Sequence, residues 1–252
     1  MKCWQISMWT EFSQKNAGSI INMHEDYYLH TLYPLQNRVL DIVASADNQF
    51  YLTGGTALGR AYLNHRYSDD LDFFLNSDNT YKQQTESVYK ALVEAGFQPE
   101  RAVMQDGFSR LFIHEQACSL KIDFVNDVEF RAGSAQETGL FVRTDTMRNI
   151  LSNKLTALGR LEVKDVADIL FISQKMSFHW RSLFLEAEKK DLWVNPVDVA
   201  RYLEDFPAQH FNKIAWISEP PSPEKVSEQI SRIINDILQG KTNSLAEHPG
   251  DE

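Results

Sequence analysis

Cysteine, positive charge and long apolar runs are all scarce in this chain of 252 residues. Its two cysteines, Cys3 and Cys118, lie far apart and outside any CxxC, which excludes a disulfide framework and a cysteine-based zinc site. The seven histidines never form HxxxH or HExxH, so the helical zinc-enzyme pattern is missing. No GxSxG elbow offers a serine nucleophile. Lys and Arg number 25 against 35 Asp and Glu, a net charge of −10. That balance disfavours wrapping of duplex DNA or an anionic membrane, both of which need a cationic surplus. No run of about eighteen apolar residues exists, and the opening MKCWQISMWTEF lacks the apolar centre of a signal peptide. The chain therefore reads as a cytoplasmic protein without membrane contact. What it does have is 43% hydrophobic residues, enough for a sizeable core.

The patterning changes along the chain. Residues 1–23 show no clear period and read as an N-terminal arm. From Asp26 to Ala46 apolar residues recur at helical spacing, with Pro34 marking a start or kink. Phe50-Tyr51-Leu52 is a short β-prone run, Gly54-Gly55 a turn, and the stretch from Thr56 a helix. Leu71 to Leu75 reads as a strand, Thr80 to Ala95 as a helix closed by Gly96, and strands are expected at 97–104, 110–114 and 120–125. After Gly139 helical periods dominate: 146–161, 164–173, 178–189, 195–205 and, beyond a Pro-Pro-Ser-Pro break, 224–238. Trp180, Trp193 and Trp216 fall inside the helical half and read as core residues. The expected organisation is an α/β domain over residues 24–140, a helical domain over 141–239, and a polar tail over 240–252 that does not pack.

Chemistry concentrates in YLTGGTALGRAYLNHRYSDDLDFFLN, residues 51–76. A glycine pair between strand and helix lets the backbone turn tightly beside a ligand, and the helix N-terminus favours phosphate. Gly55 in particular is expected to need a bare backbone there. Asp70 and Asp72, at i and i+2 of a strand, share one face while Leu71 points inward. Paired carboxylates repel unless a cation joins them, and oxygen donors suit magnesium. Alone, a Gly-Gly turn or a DxD is an ordinary turn or strand edge. Together they suggest metal-assisted phosphoryl or nucleotidyl transfer. A glycosyltransferase DxD leaves the glycine pair unexplained, and an EF-hand at residues 69–78 lacks its glycine and distal glutamate.

Asp123 interrupts the apolar strand LKIDFV, either as a third functional carboxylate or paired with Lys121 or an arginine. Arg66 and Ser68 precede the DxD, where they meet phosphate or merely pack the loop. Lys154, Asp165 and Asp168 lie in NKLTALGRLEVKDVADI, as site residues or as a salt-bridge network.

The GGTALGRAYLNHRYSDDLDFF run resembles the glycine-pair and DxD signature of the polymerase-β-like nucleotidyltransferases, and in detail the AbiEii/AbiGii toxins. The likeness extends from His24 to about Leu170. HEDYYL at 24–29 is similar to a family segment in which a lysine often stands where Glu25 stands here. The resemblance implies a mixed-sheet nucleotidyltransferase domain followed by helices. It also implies Mg2+ or Mn2+ on Asp70, Asp72 and Asp123, and a nucleoside triphosphate held by Gly54, Gly55, Thr56, Arg66, Ser68, Lys154, Asp165 and Asp168. Asp123 would help to deprotonate the acceptor and Lys154 would neutralise the triphosphate. The acceptor it implies is tRNA or another RNA, with a cognate antitoxin as partner. Arg131, Arg143, Arg148 and Lys154 are the nearest cations for a confined RNA patch. A small-molecule or protein acceptor, or a catalytically silent scaffold, remains the alternative.

Overall fold

The computed structural model describes residues 25–115 and 118–246. The expected arm at 1–23, His24 and residues 247–252 lie outside them. Tyr28, Leu32, Leu35, Val39 and Val43 recur every three or four residues and are all buried. They make one apolar stripe along a π-helical segment, Tyr28–Leu32, and helix α1 (Tyr33–Ser45). Pro34 lies where the π-winding gives way to α1 inside one continuous helical run, and its missing amide leaves the junction one backbone bond short.

Strand β1 (Tyr51–Thr53) runs straight into helix α2, which starts as Gly54–Thr56, widens to π-winding over Ala57–Leu63, and stops at Asn64 in the left-handed conformation. Strand β2 (Leu71–Asn76) alternates as read: Leu71, Phe73 and Leu75 are buried, while Asp72, Phe74 and Asn76 are partly exposed. Helix α3 (Tyr81–Glu94), β3 (Glu100–Met104) and β4 (Phe108–Glu115) follow, and then β5 (Cys118–Asp127). The sheet order is β1-β2-β5-β4-β3, with β2–β5 parallel and the other pairs antiparallel. This is the expected mixed α/β sheet. Its register places Thr53, Asp72, Asp123 and Arg110 in one row across β1, β2, β5 and β4.

Helices α4 (Met147–Ala157), α5 (Val163–Lys175), α6 (Trp180–Glu188), α7 (Pro196–Glu204) and α8 (Pro223–Gln239) form the second half. Side chains of Thr146, Asn195 and Ser222 cap α4, α7 and α8 by accepting first-turn amides. Trp180 and Trp216 are buried, and Trp193 packs against the core. One continuous buried cluster runs from Tyr28 to Leu245, so the change of character near residue 140 is not a break in the core. Residues 240–246 correct the expected tail. Gly240 closes α8, and Asn243 is buried, with Nδ2 donating to the carbonyls of Ser173 and Met176 and its amide to Phe178. Leu245 is buried as well. A polar segment packs here because its asparagine satisfies carbonyls at the end of α5. No helix among the described residues is long and apolar enough to cross a membrane.

Candidate active site

Sheet register brings the carboxylates together. Asp72 lies opposite Asp123, and Asp70 precedes β2 by one residue on the same side. Lys121 on β5 reaches between them, with Nζ 2.7 Å from Asp70 Oδ2 and 3.8 Å from Asp123 Oδ2. Arg110 on β4 donates to both oxygens of Asp123, Nε at 2.7 Å and Nη2 at 2.8 Å. Among the described residues Asp72 has no such partner. Burial, then the charges of Asp70 and Asp123, push its pKa up to about 6 against the opposing pull of Lys121 and Lys154.

Asp72 opens into a cavity of about 400 Å³ that Thr53, Gly54, Asn153, Lys154 and Arg160 also line. Gly54 has a φ of +69°, and a β-carbon there would run into the Asp72 carboxylate. Gly54 is therefore the glycine that borders the cavity. Gly55 has a different reason to lack a side chain: its β-carbon would lie 2.6 Å from Arg66 Nη2 and 2.9 Å from Ser68 Oγ. The hydroxyl of Thr56 is not directed to the cavity but donates to the Asp70 carbonyl, tying α2 to the DxD.

Lys154 reaches the cavity from α4. Its ammonium is 2.7 Å from Asp165 Oδ1 and 2.7 Å from Asp168 Oδ2. Burial works against that charge, but the two carboxylates outweigh it and the pKa is raised. Asp168 also accepts from Arg66 Nε and Nη2, each at 2.7 Å, and contacts His65 Nε2 at 2.9 Å. Burial would raise its pKa, yet Arg66, Lys154 and His65 hold it well below the ordinary range. Arg66, Ser68, Asp165 and Asp168 thus sit behind the cavity wall, and Arg66 is buried against Asp168. The loop-packing reading of Arg66 and Ser68 and the salt-bridge reading of the two aspartates describe these contacts.

The family pattern described as "Nucleotidyl transferase AbiEii toxin, Type IV TA system" matches residues 38–247, well over half of the sequence. The chain belongs to the AbiEii nucleotidyl transferase toxin family. No curated protein matches it. Among solved structures it is similar to JHP933 from Helicobacter pylori, at 20% identity and a TM-score of 0.53, over 82% of this chain and 90% of that one. A second H. pylori crystal structure, described as a nucleotidyltransferase, is also 20% identical, with a TM-score of 0.54 over 82% and 93%. These likenesses show a shared fold.

Within this AbiEii fold several partners were not legible in the sequence. Asp145 is fully buried and accepts from Thr53 Oγ1 at 2.7 Å, Asn149 Nδ2 at 2.8 Å and Arg131 Nη2 at 3.1 Å. An aspartate followed by the N-cap Thr146 carries no signal of that role. Arg110 sits 13 residues before the carboxylate it grips, and only β4–β5 pairing reveals it. The cations expected to supply an RNA patch all have partners: Arg131 pairs with Asp145, Arg148 with Glu186, Lys154 with Asp165, and Arg143 donates to Phe50 O and Asn48 Oδ1.

Proposed function

We propose that this AbiEii protein transfers a nucleoside monophosphate from a nucleoside triphosphate to an acceptor hydroxyl with the help of a divalent cation. The observation that carries this reading is the Asp72–Gly54 contact in a cavity that also holds Lys154. A carboxylate, a bare backbone at a helix start and a buried ammonium meet there.

The donor set suits a hard cation: Asp70, Asp72 and Asp123 offer carboxylate oxygens, and Asp72 is held near 6 partly by their mutual repulsion. No group of three or more such ligands is already gathered around one position among the described residues. Lys121 occupies the space between Asp70 and Asp123, so binding requires its ammonium to yield. When bound on these aspartates, Mg2+ or Mn2+ would neutralise phosphate charge and lower the acceptor hydroxyl's pKa. Lys154 would neutralise triphosphate oxygens, and its two carboxylates hold it charged and aimed. Arg66 and His65 position it indirectly through Asp168. Gly54 keeps Asp72 free to face the substrate, while Asp123 takes the acceptor's proton once Arg110 releases one of its oxygens. The acceptor oxygen attacks the α-phosphorus, the bond to the β-phosphate bridge breaks, and pyrophosphate leaves with the nucleotide on the acceptor. Alignment and charge neutralisation are the protein's contribution.

Membership of a Type IV toxin–antitoxin family supports a cognate antitoxin; the acceptor we propose is an RNA, tRNA foremost, met in the cytoplasm where the triphosphate pool lies. The pairing of Arg131, Arg148 and Lys154 with carboxylates favours a second reading, a small-molecule or protein acceptor that needs no basic groove. One experiment separates them: each α-labelled triphosphate is incubated with protein, magnesium and, in turn, total RNA, cell protein or small metabolites. Label in the RNA pool supports the first reading and label elsewhere the second. Label in none contradicts nucleotidyl transfer.

A further inference from the structure

Behind the helix that carries Lys154 lies a second cation in a different setting. Lys190 follows α6, and its Nζ donates to Asn149 Oδ1 at 2.6 Å, Ser152 Oγ at 2.6 Å and Asn153 Oδ1 at 2.5 Å, with the Asn149 carbonyl at 3.4 Å. An ammonium has three N–H groups. All three are used, and every acceptor is neutral. Asn149, Ser152 and Asn153 form one face of α4, at i, i+3 and i+4. Asp145, Asp127 and Glu186 act on Lys190 only through space, and burial outweighs them, lowering its pKa to about 8. A buried cation without a paired anion is expensive. An apolar stem would join α6 to α4 without that penalty.

Lysine chemistry also fixes what Asn153 shows to the cavity. An ammonium cannot accept, so the amide oxygen of Asn153 must be the end turned toward it. Nδ2 is then the polar group left over, with no acceptor among the described residues, on a side chain that lines the same cavity as Gly54, Asp72 and Lys154. The arrangement is braced on its far side. Asn149 Oδ1 also accepts the Ala132 amide at 2.9 Å, and its Nδ2 donates to Asp145 Oδ2, the oxygen that takes the Thr53 hydroxyl. Thr53 lines the cavity too. A hydrogen-bonded arc, Asn153–Lys190–Asn149–Asp145–Thr53, therefore begins and ends in the cavity wall.

We propose that Asn153 binds phosphate in this site, donating through Nδ2 to a triphosphate oxygen, and that Lys190 is the positioning residue that holds the amide in that orientation. The inference rests on the reading of the cavity as a triphosphate site. An amide whose oxygen accepts from an ammonium is a polarised donor. An anionic oxygen answers so polarised a donor better than the neutral acceptors of a sugar or base do.

The test measures magnesium-dependent binding of the four labelled ribonucleoside triphosphates, competition by inorganic tripolyphosphate, and thermal midpoint. Asn153→Ala should weaken binding about 10- to 100-fold, the range for a hydrogen bond to a charged group, and tripolyphosphate should lose affinity by the same factor. Asn153→Asp should bind more weakly still, because it presents an anion, yet keep or raise the midpoint through an ion pair with Lys190. Lys190→Met should weaken binding in the parent chain but add nothing to Asn153→Ala. If the Asn153 variants bind as the parent does, or Lys190→Met lowers only the midpoint, or the two losses add, the proposal is overturned. Loss for nucleotides with tripolyphosphate unaffected overturns the phosphate assignment. If the parent chain binds no triphosphate, the wider reading of the cavity fails as well.

Discussion

Replacing Gly54 by alanine separates catalysis from folding more cleanly than any other change near the cavity. Its φ of +69° lies in the left-handed region, where a side chain costs about 1–2 kcal/mol. The new β-carbon would overlap the Asp72 carboxylate. Because the overlap involves the end of a side chain, Asp72 can swing off its rotamer for about 1 kcal/mol. The smaller entropy of the unfolded alanine chain returns about 0.5 kcal/mol. A net loss of about 2 kcal/mol corresponds to a fall in Tm of roughly 4–8 °C for a chain of this size, which leaves the protein folded at 25 °C. The displaced carboxylate must move by about 1 Å, and such a misplacement costs on the order of 100-fold in rate. Gly55→Ala is the comparison, since its β-carbon meets Arg66 and Ser68 rather than Asp72; it should lose stability, with a smaller fall in rate that arises through Arg66 and Asp168. The assay is label transfer at 25 °C beside a thermal melt. Activity of Gly54→Ala within about threefold of the parent, at a rate-scale where 100-fold was expected, would refute the placement of Asp72 at the reacting centre.

Asp72 makes a pH-dependent prediction. Its folded pKa is raised from 3.8 to about 6, so its contribution to stability is full below 3.8 and is lost as the pH rises through 6. In metal-free buffer Asp72→Asn should therefore raise stability at pH 7.5, by at most about 3 kcal/mol, and give no gain at pH 3.5; equal gains at both would contradict the repulsion. Asp168→Asn removes a buried charge from Arg66 and Lys154 and should cost about 3–5 kcal/mol, a fall in Tm of at least roughly 6 °C; a melt unchanged from the parent would show that the network is dispensable. If the acceptor is RNA, its affinity at saturating magnesium and nucleotide should fall steeply with salt, and Arg160→Glu, an exposed residue at the cavity wall, should flatten that dependence. A flat salt response in the parent would favour the small-molecule or protein acceptor.

The strand–glycine–helix–DxD segment was legible because each part is local. A β-prone triplet, two glycines and the alternation of Leu71-Asp72-Phe73 carry their own geometry, and β1, α2 and β2 lie where the residues place them. Lys154 and the two aspartates beyond it were also visible as a group, though spacing alone could not show which carboxylates hold the ammonium. What the sequence concealed depends on long-range closure. Arg66 meets Asp168 across 102 residues, and this converts an arginine expected at phosphate into a brace for the helix that carries Lys154. Gly55 seemed to need bareness for a ligand, yet the space belongs to that same arginine. Lys190 lies just past the helix expected at 178–189 and carries no local signal; its three neutral acceptors appear only when α6 packs on α4. Asn243 sits in a segment too polar to predict as packed, and it is ordered by carbonyls that no local pattern announces.

Whether Asp70 and Asp72 serve nucleotidyl transfer is decided by one comparison. Parent chain, Asp70→Asn and Asp72→Asn are each incubated with α-labelled triphosphate, magnesium and total RNA, and transferred label is counted beside the thermal midpoint. Label is expected with the parent chain, with loss of about 100-fold or more in both variants and midpoints equal to or above the parent's. Parent-like transfer by Asp72→Asn, with its fold intact, would contradict that role.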